Sequence, residues 1–250
     1  MTPAEFLKRR WVSDGAMATY LFSQGAEGPV EELNLTAPEL VAAVHREYLE
    51  AGAQILRTNT FTAGPASAAG VDIARRVAQG RALVAGVIGS RIHGVREQFR
   101  EHAESLLGVD LVILETFRSI AELRAAVTGV RDAVGYTIPL VAQLSADADG
   151  GFPDGLHELD ADVVGFNCSF GPESVQFALE RLRCITNRPL SAIPSAGVGT
   201  MLAPQEMARY TRGFLANGAV LVGTCCGSTP EHIRAIACEH ATLDSQWPPT

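Results

Sequence analysis

The sequence predicts a single (β/α)8 barrel, a TIM barrel with shortened βα loops, and three observations predict it. Eight short apolar runs alternate with amphipathic segments along 250 residues, a length that suits one barrel better than two domains. The runs are rich in Val, Ile and Leu without strict polar alternation, the pattern of parallel strands covered on both faces. Each run also ends in a polar or thiol-bearing residue, where strands of this fold open into the loops that carry function.

Candidate strands span residues 11–14, 54–58, 83–88, 111–115, 139–144, 163–168, 190–195 and 220–225. A helical segment at 38–51 follows Thr36, placed to cap it, and stops before Gly52. Segment 119–134 carries apolar residues at 120, 123, 127, 130 and 134, one helical face. Segments 172–184, 204–216 and 230–243 each open on a proline, favoured in a first turn where the missing N–H costs nothing. The stretch 155–160 after the fifth run is barely one turn. An open doubly wound sheet is the competing architecture, but no GxGxxG follows the first run and no GxxxxGK[ST] occurs. No linker or low-complexity tract divides the chain, so residues 1–250 read as one domain.

Hydrophobic residues make up 47% of the chain and charged ones 19%, enough for a sizeable core. The formal charge of −8, with no basic run, repels phosphate backbones and anionic lipid and argues against nucleic acid or membrane partners. The first fifteen residues lack the apolar core of a signal peptide, and no apolar stretch approaches a membrane span. A soluble cytoplasmic protein is expected. Five cysteines, an odd number in such a chain, suggest metal or catalytic use rather than a disulfide framework.

The strand-end residues are Asp14, Asn59, Ser90, Glu115, Ser145, Asn167 with Cys168, Ser195, and Cys225 with Cys226. In a barrel they converge on one mouth. Three thiolates suit Zn2+ and leave one tetrahedral position open, as in a catalytic site. Thr229 and Pro230 look like a helix start beside the vicinal pair, which favours ionised thiols. The same cysteines also admit plainer readings: small buried residues, or a strained redox disulfide in the vicinal pair. Cys184 and Cys238 lie within helices and read as packing residues. His45, His93, His102, His157, His232 and His240 sit in or beside helical segments, without HExxH, and read as packing or surface groups.

DGAMATYL, ELNLTAPELVAAVHREYLEAGAQILRTNTF, LETF, GFNCS and GTCCGSTPEHI, in this order, resemble the zinc-dependent homocysteine S-methyltransferases. That family includes the betaine and S-methylmethionine enzymes and the homocysteine domain of cobalamin-dependent methionine synthase, to which residues 29–61 look closest. The resemblance implies that Cys168, Cys225 and Cys226 are the zinc ligands and the catalytic centre. It implies that Asp14 and Glu115 hold the amino-acid end of homocysteine, with Asn59 and Asn167 in pocket-forming motifs. It also implies methyl transfer to the zinc-held thiolate, giving methionine.

The departures fall on the donor side. Ile88-Gly89-Ser90 stands where the family has a Gly-Pro, Pro194-Ser195-Ala196-Gly197 replaces a Pro-Asn-Ala-Gly, and the segments after the third, fifth and seventh runs are short. Neither a methyltetrahydrofolate barrel nor a DxHxxG corrinoid signature is present. The expected donor is therefore external: methylcobalamin on a separate corrinoid protein, or S-methylmethionine or a similar molecule. Methylation of another small thiol or selenol, and a non-catalytic zinc-binding barrel, are the alternatives.

Overall fold

The computed structural model describes residues 1–91, 94–197 and 201–244. Its strands are β1 (Trp11–Val12), β2 (Ile55–Arg57), β3 (Leu83–Gly89), β4 (Leu111–Phe117), β5 (Leu140–Leu144), β6 (Val163–Cys168), β7 (Leu190–Pro194) and β8 (Ala219–Val222). All pair in parallel, in the order β1-β8-β7-β6-β5-β4-β3-β2. A bridge between Ser13 and Ile55 joins the two ends, with Gln54 N donating to Val12 O and Asp14 N to Ile55 O. The sheet thus closes into the predicted barrel. β1 and β8 stop earlier than the sequence suggests: beyond the Ser13 bridge, residues 14–16 turn off the sheet, as do residues 223–226 beyond β8, and together they build the mouth.

The helices are α1 (Pro3–Phe6), α2 (Ala18–Ser23), α3 (Leu33–Thr36), α4 (Pro38–Glu50), α5 (Ser67–Ala78), α6 (Arg96–Glu104), α7 (Ile120–Val134), α8 (Pro172–Arg183), α9 (Pro204–Ala216) and α10 (Pro230–Asp244). Between β5 and β6 there is only a single 3-10 turn, Leu156–Glu158, as that segment's length indicated. Thr36 does not cap α4. It ends α3, donating its hydroxyl to Glu32 O, and Ala37 precedes Pro38 without a side-chain cap. Among the described residues no helix is long and apolar enough to cross a membrane.

Strand side chains alternate between two cores. Val12, Leu56, Val84, Val112, Leu114, Ala142, Val164 and Ala192 face the helices, whereas Trp11, Ile55, Ala85, Leu111, Ile113, Val141, Val163 and Ile193 fill the barrel. α1 closes the lower end: Phe6 stacks on Trp11 at 5.4 Å and accepts the indole N–H at its carbonyl. Above these apolar layers the inward positions turn polar, and there the site begins.

His45 in α4 is fully buried, and neither ring nitrogen has a hydrogen-bond partner. Burial pushes its pKa down to about 4. The unfolded chain therefore binds a proton below about pH 6.5 that the native state refuses until about pH 4, so stability falls as pH drops through that window. The loss amounts to about 3 kcal/mol, at 1.4 kcal/mol per pKa unit. His45→Met should remove this acid limb, read as denaturant midpoints from pH 4 to 7. Parallel pH curves for the two proteins would refute it.

Candidate metal centre and acceptor pocket

Cys168 ends β6, and Cys225 and Cys226 lie just past β8. Their sulfur atoms are 3.3 Å (Cys225 to Cys168), 3.4 Å (Cys168 to Cys226) and 3.9 Å (Cys225 to Cys226) apart. Bonded sulfurs would lie about 2.05 Å apart, so all three cysteines are free thiols in this structure. Tetrahedral Zn–S bonds of about 2.3 Å require sulfurs about 3.8 Å apart, so the three thiols fit such an ion with little adjustment. This is the cysteine, histidine and carboxylate cluster among the described residues able to hold a metal.

The backbone around these thiols is tightly fastened. Cys168 and Ser169 have φ of 54° and 58°, left-handed values that β6 alone would not impose. Ser195 Oγ donates to Cys226 O, Ser228 Oγ to Cys225 O, and Cys225 N to Pro194 O. Gly15 is dictated by close approach, since a Cβ there would lie 2.6 Å from Ser228 Oγ and 2.7 Å from the Tyr48 ring. Hydrogen bonds from Cys168 and then Cys225 push the Cys226 thiol down, to about 3. Cys168 is pushed up, first by its bond to Cys225.

Asp14 and Glu115 do come together at this mouth, but through a residue that sequence reasoning missed. Arg57, at the inward end of β2, donates Nε to Asp14 Oδ1 at 2.8 Å and Nη1 to Glu115 Oε2 at 3.0 Å. Its backbone N–H takes Asp14 Oδ2 at 2.9 Å. Nη2 reaches the carbonyls of Asp14, Gly15 and Thr224. Burial opposes the Arg57 charge, yet Asp14 and Glu115 outweigh it and keep the guanidinium protonated. Burial raises Glu115 to about 7, against the pull of Arg57. A signal was available: a lone arginine inside an apolar run, two residues beyond inward Ile55, must find acid partners in a barrel.

The two asparagines have different places. Asn167 is fully buried beneath the thiols, accepting from Thr116 N at 2.7 Å and donating to Thr116 Oγ1 and, at 4.0 Å, to Cys225 Sγ. It fixes Thr116, whose φ is 67°, next to Glu115. Asn59 points away from the thiols, donating to Val30 O and Asn34 Oδ1, and so anchors the loop before α3. The strand-end serines are fasteners: Ser90 Oγ donates to Glu122 and Ser145 Oγ to Asn167 O. Cys184 and Cys238 are exposed, contrary to the packing role expected of them. His45, His102, His232 and His240 are buried packing groups, and His93 lies outside the described residues.

The family profile described as homocysteine S-methyltransferase matches residues 11–239. Methionine synthases of Mycobacterium leprae and Mycobacterium tuberculosis are 32% and 31% identical over 92% and 94% of this chain. The chain spans about a quarter of their length (24% and 25%). The first alignment runs over 291 positions whereas 92% of this chain is about 230 residues, so about sixty positions of that relative have no counterpart here. The metallated form of homocysteine methyltransferase MmuM from Escherichia coli superposes with a TM-score of 0.78 at 26% identity, covering 92% of this chain and 96% of that one. Dihydrodipicolinate synthase from Bacillus clausii, 14% identical over 97% of this chain and 77% of its own, with a TM-score of 0.57, shares the fold alone.

Proposed function

This chain belongs to the homocysteine S-methyltransferase family, and from that premise we propose that it methylates the sulfur of homocysteine, releasing methionine, at a zinc ion held by Cys168, Cys225 and Cys226. The observation that carries the proposal is the triangle of thiols, 3.3–3.9 Å on a side, at the mouth of a closed barrel. Bound zinc would supply the positive charge that keeps an added thiol ionised at neutral pH, where a free thiol of pKa about 8.5 is mostly protonated.

The chain's own residues do the rest. Asn167 and the serines hold the three sulfurs in place, so little reorganisation is needed when a ligand enters. Glu115 keeps one oxygen that receives no hydrogen bond from the described residues, and this oxygen accepts from the ammonium group of the acceptor. Asp14 acts one step back: Arg57 occupies both of its oxygens, and its role is to fix that guanidinium. Asn59 shapes the rim rather than the pocket floor. The methyl group arrives from the solvent side, along the line opposite its leaving group. We assign the donor role to methylcobalamin on a separate corrinoid protein, ahead of S-methylmethionine.

The test is direct. Zinc-loaded protein with homocysteine should produce methionine from at least one of methylated corrinoid protein, S-methylmethionine, S-adenosylmethionine or betaine. Stoichiometric zinc without turnover on any of them would leave the non-catalytic barrel standing instead.

A further inference from the structure

The two carboxylates placed to receive an acceptor's ammonium group already hold a cation of the protein's own. Arg57 bridges Asp14 and Glu115, and all three side chains are almost wholly buried. The guanidinium cannot swing aside cheaply. Nη2 also satisfies three backbone carbonyls, so moving it would strand these together with two carboxylates away from water. Beside Cys225 and Cys226 lies a cavity of about 100 Å3, lined by residues 15–19, Arg57 and Thr58. Arg57 is in its wall, and neither Asp14 nor Glu115 is.

We propose that Arg57 sets acceptor specificity: its guanidinium fills the place between Asp14 and Glu115 where an α-ammonium would be bridged, so the site takes short thiols without an α-amino group, mercapto acids among them, nearly as well as homocysteine. The proposal rests on the methyl-transfer reading for its substrate class. What remains for an ammonium is one oxygen of Glu115, whose charge is shared with Arg57. The cavity beside the sulfurs meets an acceptor's tail with a guanidinium edge, which suits a carboxylate better than an ammonium. The reaction balances as before: the thiolate sulfur forms the new S–CH3 bond, and the donor departs with the electron pair of the bond that breaks.

The experiment compares L-homocysteine with 4-mercaptobutanoate, which is the same chain without the amine. Dissociation constants are measured by calorimetry on zinc-loaded protein, and kcat/KM with whichever donor supports turnover. The expected preference for homocysteine is below about tenfold, the worth of one weakened charge-assisted hydrogen bond. A larger preference overturns the proposal. In Arg57→Met an α-ammonium can enter between the two carboxylates, and the binding preference should rise by about tenfold or more, in line with a second charge-assisted contact. An unchanged ratio in a folded variant also overturns it, and if that variant does not fold, the wild-type ratio decides. If both thiols bind and neither is methylated, the methyl-transfer reading fails while the binding ratio still judges Arg57. Binding of neither thiol sinks both.

Discussion

Replacing Cys226 by alanine should abolish methyl transfer and leave the protein with well under one zinc per chain, while the barrel stays folded. The sulfur removed is only partly buried, at the rim of the barrel core and past the end of β8, so its loss trims the edge of that core and leaves the strand ladder intact. The backbone at Cys226 is held through its carbonyl, by Ser195 Oγ and Ala196 N, and both bonds survive the substitution. What is lost is one corner of the thiol triangle. Two sulfurs and a water bind a soft-preferring ion far more weakly than three sulfurs do. Zinc content by atomic emission, far-UV circular dichroism and methionine formation together give the answer. Cys184→Ala, on an exposed cysteine after α8, is the control and should keep full zinc. Full zinc occupancy and normal turnover in Cys226→Ala would remove this residue from the metal centre.

The barrel was legible because its strands are buried on both faces, which leaves continuous apolar runs between proline-opened helices. The strand ends were legible for the same reason: Asp14, Glu115 and Cys168 each break an apolar run where the chain meets the mouth. Other features depend on which face a side chain takes and on distant partners. Arg57 reads as an ordinary charge until β2 is known to point it inward, to acids 43 and 58 residues away. Asn59 looks like Asn167 in sequence, since each ends a strand. Yet Asn167 sits under the thiols, whereas Asn59 turns toward Asn34 and Val30. The left-handed backbone at Cys168, Ser169 and Thr116 leaves no mark in residue type, because none of them is glycine. It is imposed from outside, for Thr116 by the two bonds to Asn167. Cys184, just past the end of α8, and Cys238, within α10, both face solvent, which residue type alone does not reveal.

A methylated corrinoid protein should support turnover at least about tenfold faster than S-methylmethionine or betaine, for a reason of alignment. A small donor must spend binding energy on walls that hold its methyl carbon in line with the sulfur. About sixty positions of the mycobacterial relative have no counterpart in this chain. The β5–β6 connection is reduced to one 3-10 turn. Cys168 and Cys226 are only partly covered. The same face carries exposed apolar side chains in several βα segments: Phe170 after β6 is 69% exposed, Leu35 58%, Val95 56% and Met201 47%. Such residues suit contact with a large partner that brings its own enclosure for the reacting methyl group. Phe170→Asp and Leu35→Asp should then raise KM for the corrinoid protein severalfold while leaving the zinc content and the homocysteine dissociation constant unchanged. Steady-state rates with each donor decide the matter. Efficient methylation from S-methylmethionine alone, with no response to corrinoid protein, would show that the mouth closes around a small donor by some other means.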